Sequence, residues 1–73
     1  RYTEAAANLQ AACALYREFG DRYNEADELV VLGDVRRDAG NLDGARTAWR
    51  EALRIFDELG HADADLLRAR LAT

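Results

Sequence analysis

The chain has 73 residues, no proline, a hydrophobic fraction of 49% and a net charge of −4. This length predicts one small domain with a limited core, and the composition excludes a disordered or proline-rich segment. The acidic balance disfavours direct nucleic-acid or anionic-membrane binding, because both need basic patches.

The cysteine content and the hydrophobicity profile indicate where the protein resides. Cys13 is the single cysteine and cannot form an internal disulfide. No apolar run approaches the roughly 20 residues needed to cross a bilayer, and no signal peptide is recognisable. We therefore expect a cytoplasmic protein. Because the sequence starts at Arg1 rather than at methionine, we also expect it to be part of a longer protein.

Residues 2–19 predict a first helix, because alanine is the best helix former and nothing there breaks a helix. Helical spacing places four residues on one apolar stripe: Leu9, Ala12, Cys13 and Tyr16. Small apolar residues also cover most of the remaining circumference, which is typical of a helix with protein on more than one side. We interpret this segment as the second helix of a repeat whose first helix is cut away.

Glycines predict the ends of the helices, at Gly20, Gly40 and Gly60. Asp21 or Asn24 could cap the second helix, and Asn41 the third.

The second helix is expected at roughly residues 22–39, with Leu29 and Leu32 among its core residues. Gly33 lies in the middle of this helix, where glycine costs about 1 kcal/mol relative to alanine. A glycine there favours the close approach of another helix.

The third helix is expected at 42–59 and the fourth at 62–72. The third has the strongest amphipathic pattern, with apolar residues at i, i+4, i+7, i+8 and i+11: Ala45, Trp49, Ala52, Leu53 and Phe56. On the short fourth helix, Leu67 and Leu71 are expected to face inward.

Two segments forty residues apart share one pattern. Glu18-Phe19-Gly20 matches Glu58-Leu59-Gly60, and the first-helix stripe aligns with the third-helix stripe. A period of this length is the signature of a solenoid. The sequence therefore predicts an all-α, antiparallel helix-pair solenoid of about four helices, with residues 1–73 forming a single domain.

The pair Leu32-Gly33 followed in register by Ala45, Trp49 and Ala52 resembles the tetratricopeptide repeat (TPR). Residues 22–59 would then be one complete repeat. Arg36 stands where the family usually has an aromatic residue, so one inter-helix contact is missing or replaced. The usual helix-ending proline is also absent.

The stretch from Leu32 to Leu71 resembles, more narrowly, the C-terminal repeats of actinobacterial antibiotic-regulatory (SARP-type) transcription factors. That resemblance implies a regulatory module whose DNA-binding and ATPase parts lie upstream, outside this chain. It implies a non-catalytic module that presents a surface to a protein or peptide. Both ends of a cut solenoid expose apolar faces, so we also expect that a homodimer can form through these ends. A plain scaffold unrelated to transcription, or a homo-oligomerisation segment, remains the alternative.

The TPR resemblance also implies a concave groove for peptides, lined by Asp27, Val30, Asp34, Arg37 and Asp38 of the second helix and Arg68 of the fourth. Members of the family that bind C-terminal carboxylates use a lysine and asparagine clamp. Val30 and Asp34 stand there instead, so that activity is not carried over. A partly acidic groove would favour a basic or mixed segment, and a simply solvated groove is the alternative.

Residue types with chemical potential are sparse. His61, Asp63 and Asp65 are too few for a closed metal site and fit a helix start. Cys13 has no nearby base in sequence, so a small buried residue is the better interpretation. We expect no catalytic residue, cofactor or metal. An arginine stripe on the third helix is either a solvated outer face or a phosphate- or DNA-facing surface: Arg46, Arg50 and Arg54.

Overall fold

Four α-helices build residues 1–72, the part of the chain that the computed structural model describes. They are α1 (Tyr2–Glu18), α2 (Arg22–Asp38), α3 (Leu42–Leu59) and α4 (Asp63–Ala72). No β-strand occurs in this range, so the prediction of an all-α protein with about four helices is confirmed. The predicted bounds are correct for α3 and differ by one residue at one end of each of the other helices.

The turns after the first three helices share one geometry. Gly20, Gly40 and Gly60 have φ angles of +73°, +85° and +65°, in the left-handed region that favours glycine. The N–H of the residue after each glycine donates to the carbonyl five residues earlier, over 2.9, 2.8 and 2.9 Å. This is the Schellman arrangement, which stops a helix and reverses the chain.

The residue after each glycine then caps the next helix. Asp21 and Asn41 each accept, through Oδ1, the backbone N–H three residues later, at 3.3 and 2.9 Å. Asp21, rather than Asn24, is therefore the cap of α2. His61 Nδ1 accepts the Asp63 N–H at 3.1 Å, which engages this imidazole nitrogen at the start of α4.

Each helix packs against its neighbours in sequence. α2 lies against α1 and α3, and α3 lies against α4, whereas the backbones of α2 and α4 stay apart. The Cα atoms fill a slab of 33 × 31 × 13 Å. The helices therefore lie side by side in one thin layer, which leaves a groove on each face. Within residues 1–72 no helix has the length and hydropathy required to cross a membrane.

The core follows the inner stripes of all four helices. Its buried apolar residues are Cys13, Ala26, Leu29, Leu32, Ala45, Ala48, Trp49, Ala52, Ile55, Phe56, Ala64 and Leu67. Leu9, Leu53 and Leu71 are partly buried and pack against it.

Ala12 and Tyr16, which we expected in the core, are only half-buried, because no helix covers that flank of α1. The sequence pattern did not identify Ala48 and Ile55 as core residues. They are buried because α2 and α4 both pack on α3, which covers more of this helix than the single apolar stripe.

Gly33 and Trp49 join α2 to α3. A Cβ atom on Gly33 would overlap the indole ring of Trp49, which is buried with 4% of its surface exposed. The indole Nε1 donates to the carbonyl of Val30 at 3.3 Å. The prediction that Gly33 permits a close helix–helix approach is confirmed.

Arg36 occupies the position of the absent aromatic residue. Its Nη1 donates to the carbonyl of Gly44 at 3.2 Å, in the first turn of α3. The expected aromatic contact is therefore replaced by a polar one that still joins α2 to α3.

Glu25 is a fully buried carboxylate that the sequence pattern did not reveal. Its Oε2 lies 2.9 Å from Arg17 Nε and its Oε1 lies 3.3 Å from Arg22 Nη1. The two arginines keep 60% and 35% of their side-chain surface exposed. Glu25 thus connects α1 to α2 through partners that stay in contact with water, which lowers the cost of its burial.

Candidate functional site

A groove runs along one face of the layer, with α2 and α4 as its walls and α3 as its floor. One half, which we call the acidic half, has a cavity of about 70 Å³ lined by Asp27, Val30, Phe56, Asp63, Leu66, Leu67 and Arg70. The other half, which we call the basic half, has a cavity of about 260 Å³ lined by Arg37, Leu42, Arg46, Trp49 and Arg70.

Arg70 divides the two halves. Its Nη1 lies 2.6 Å from Asp34 Oδ1, so the ion pair crosses from α4 to α2 above the floor of the groove. The same Asp34 oxygen accepts the indole N–H of Trp49 at 3.2 Å. One carboxylate therefore holds together the two walls and the floor.

Trp49 is flanked by two guanidinium groups. The Cζ atoms of Arg37 and Arg70 lie 5.8 and 5.7 Å from its ring centroid, within the range of a cation–π interaction. Asp34 Oδ1 is also 3.9 Å from Arg37 Nη1. The indole, the two arginines and the aspartate form one cluster, which fixes the side chains at the middle of the groove.

The groove is electrostatically polarised. Asp27 and Asp63 line one half, near the N-termini of α2 and α4, while Arg37 and Arg46 line the other half. Arg46 has no ion-pair partner among residues 1–72. We expected a partly acidic groove; in the structure the acidic character is confined to one half, and the other half is basic.

The wall of α2 carries four of the residues expected to line the groove, namely Asp27, Val30, Asp34 and Arg37. Asp38 lies beyond them at the end of α2, where its Oδ1 is 3.3 Å from Arg37 Nε.

The expectation for α4 is wrong at Arg68. Its Nη1 bonds Asp65 at 2.9 Å and its Nη2 bonds Asp57 of α3, and it lines neither half of the groove. Arg70 and Leu66 take this role instead. Because α4 is so short, more than one assignment of its inward face fits the apolar pattern. The sequence therefore gave no clear indication that Arg70 and Leu66 line the groove.

The opposite face carries a groove between α1 and α3. Gln10 and Arg36 line both of its cavities, of about 340 and 380 Å³. Arg17 and Arg36 are engaged there by Glu25 and by the Gly44 carbonyl. This groove is roomier, but both of its arginines are engaged, whereas Arg46 in the groove between α2 and α4 has no ion-pair partner among residues 1–72. We therefore do not select it.

Cys13 lies at the edge of the opposite groove with 3% of its surface exposed. Burial raises the pKa of its thiol, and the nearby charges of Glu28 and Glu25 raise it further. The thiol is therefore kept protonated, which makes it a poor nucleophile.

The outer side of α1 exposes an apolar patch. Ala12, Leu15, Tyr16 and Phe19 surround a hollow of about 200 Å³. Leu15 is 54% exposed and Phe19 is 76% exposed. We call these four residues the α1 patch.

The remaining candidates from the sequence have structural roles. The His61 ring packs on Tyr23 and Phe56, with centroid distances of 5.2 and 5.3 Å. Within residues 1–72, no group of three or more potential metal ligands is brought together. The arginine stripe of α3 is divided, because Arg54 pairs with Glu51 and Glu58 whereas Arg46 faces the basic half of the groove.

The chain is similar to part of a bacterial regulator. It is 35% identical over 68 residues, or 93% of its length, to the regulatory protein AfsR of Streptomyces griseus. It spans about 7% of the length of that protein. No protein-family profile and no solved structure matches the chain. The similarity relates this all-α chain to a segment of a regulatory protein.

Proposed function

We propose that this chain is a tetratricopeptide-type module of a bacterial transcriptional regulator and that it binds an extended peptide segment in the groove between α2 and α4. The similarity to AfsR over 93% of the chain supports a regulatory context. The uniform helix–turn–helix units and the packing of Trp49 on Gly33 support the repeat type.

The observation that carries the proposal is the open groove with its fixed floor. The backbones of α2 and α4 stay apart, so a strand-like segment has room between them, above the ion pair of Arg70 and Asp34 that crosses the floor. Trp49 and Phe56 are buried and held in place, whereas Leu66 at the rim is 67% exposed. Fixed apolar surface beside exposed charges is the usual composition of a peptide site, because the apolar contacts supply affinity and the charges supply orientation.

The polar groups of the groove fit binding rather than catalysis. Asp34 is shared by Arg70, Arg37 and the indole of Trp49. These contacts make the carboxylate a structural link between the walls and the floor of the groove. The module therefore acts by presenting a surface, with no bond made or broken.

Peptide selection tests the proposal. Peptides selected from a random display library on the chain are expected to lose at least about tenfold in affinity against Leu66→Glu, because a charge at the rim blocks the apolar contact. Leu15→Glu is the matched control, since it places the same charge on another exposed leucine, which lies on α1. Peptides that discriminate against Leu15→Glu, and not against Leu66→Glu, would contradict the groove.

The α1 patch favours a second candidate function, which is self-association. Leu15 and Phe19 lie side by side on a helix flank that no other described helix covers, and exposed apolar surface of this kind promotes association. Sedimentation analysis at high concentration is expected to show a dimer that Leu15→Glu dissociates and Leu66→Glu does not. A monomer at every concentration would remove this candidate and leave the groove untouched.

A further inference from the structure

We propose that the basic half of the groove is an anion pocket that takes the carboxylate of a glutamate or aspartate side chain in the bound segment. The inference rests on the proposed function and adds the chemistry of its ligand. The groove then selects peptides by the order of their charges, because an acidic side chain binds at the basic half and a basic side chain binds at the acidic half.

Three helices each contribute one guanidinium group to the pocket: Arg37 from α2, Arg46 from α3 and Arg70 from α4. Leu42 and Trp49 complete the lining of a cavity of about 260 Å³. Guanidinium groups pair with carboxylates in a planar, two-pronged geometry. The apolar walls can accept the methylene groups of a glutamate side chain, so both parts of that residue are matched.

Arg46 brings to the pocket a positive charge that the ion pairs around it leave unpaired. Asp34 serves both Arg70 and Arg37, at 2.6 and 3.9 Å. Asp38, which is 54% exposed, bonds Arg37 from outside. Arg46 has no ion-pair partner within residues 1–72. Arg46 therefore keeps a positive charge that no carboxylate of residues 1–72 pairs with, and a carboxylate of the ligand can pair with it.

The other half of the groove selects a peptide over a polyanion. A nucleic acid laid along the groove would carry phosphates from the pocket onto Asp27 and Asp63, where like charges repel. A peptide can instead change sign along its length. The chain as a whole has a net charge of −4, which adds to the disfavour of a polyanion.

Helix geometry gives the spacing of the two charges on the ligand. Asp27 and Arg37 lie ten residues apart on α2, which is roughly 15 Å at the helical rise of about 1.5 Å per residue. An extended peptide covers that distance in about four to five residues. The acidic and basic side chains of the ligand are thus expected about four to five positions apart.

Fluorescence of Trp49 reports directly on the pocket, because it is the single tryptophan of the chain. The probes are two end-blocked hexapeptides of leucine and alanine with arginine at one end, one carrying glutamate and the other glutamine at the opposite end. The glutamate peptide is expected to bind about 10- to 100-fold more tightly, as for a charge-assisted hydrogen bond. Arg46→Gln is expected to abolish this preference without weakening the glutamine peptide.

Arg50→Gln is the matched control, since it removes an exposed arginine from the same helix outside the groove. Equal affinity for the two peptides would overturn the pocket, and so would an equal loss of the glutamate preference in Arg46→Gln and Arg50→Gln. If both peptides then still required Leu66 for binding, the groove proposal would stand. A short single-stranded DNA that competes as well as the glutamate peptide would make this a phosphate site and would also overturn the inference. If neither peptide binds at millimolar concentration, both the anion pocket and the proposed peptide groove would be contradicted.

Discussion

The indole of Trp49 on α3 lies directly on the backbone of α2 at Gly33, where any side chain would overlap the ring. A glycine in a helix interior costs about 1 kcal/mol relative to alanine. Burial of a tryptophan exceeds that cost several-fold. The pair therefore explains why a helix-weakening residue stands at the centre of the best-packed interface of the fold.

Gly33→Ala is expected to destabilise the protein by about 1–3 kcal/mol, because the added methyl group displaces the indole and the strain outweighs the gain in helix propensity. Urea unfolding followed by circular dichroism measures the change. Trp49→Phe in the Gly33→Ala background should lose less than the two single losses combined, since a smaller ring makes room. A stabilising effect of Gly33→Ala would contradict the packing.

Trp49→Ala is expected to cost about 3–5 kcal/mol in the free energy of unfolding, as for truncation of a buried aromatic residue. A domain of this size has few interactions in reserve, so the cooperative thermal transition should be lost or shifted far down. Leu66→Ala, at a leucine that is 67% exposed, is the control and should change the transition little. An unchanged melting temperature in Trp49→Ala would mean that the helix register is wrong.

Glu25→Gln is expected to destabilise the fold by about 1–3 kcal/mol, because it removes charge-assisted hydrogen bonds to Arg17 and Arg22 from a fully buried site. Chemical denaturation measures this loss. Arg54→Gln removes an exposed ion-paired arginine and should leave the midpoint unchanged. If the two variants behave alike, Glu25 is not the buried link between α1 and α2.

Titration of Cys13 makes stability depend on pH in the alkaline range. Because burial raises the pKa of the thiol in the folded state, the fold binds this proton more tightly than the unfolded chain does. That contribution is complete below the unfolded pKa and is lost as pH rises through the folded pKa. Cys13→Ala should remove this part of the alkaline loss of stability, measured as the difference between the two proteins from pH 8 upward. Parallel pH profiles would contradict it.

Local signals in the sequence were sufficient for the helices and their packing. The glycines at 20, 40 and 60 follow helical segments, where glycine favours the left-handed turn that ends a helix. The apolar stripe through Trp49 and Phe56 matches the helical period alone. Gly33 predicted a close helix–helix contact, because a glycine inside a helix lowers stability unless such a contact compensates for it. These features depend on neighbours in sequence or on a single partner helix, and for that reason they could be predicted.

The features that the sequence did not reveal depend on several helices at once. The burial of Glu25 arises from residues on α1 and α2, and the basic half of the groove from three helices. The exchange of Arg68 for Arg70 depends on the register of a ten-residue helix. Ala12 and Tyr16 stay half-exposed because their burial requires a covering helix that residues 1–72 do not supply.

Chemical-shift mapping of the ¹⁵N-labelled chain with a display-selected peptide tests the binding groove most directly. The expected result is a shift of the Trp49 indole N–H signal together with backbone signals of Val30, Leu66 and Arg70, while Leu15 and Phe19 stay unchanged. Shifts confined to Leu15, Phe19 and their neighbours on α1 would contradict the groove and place the interaction surface at the α1 patch.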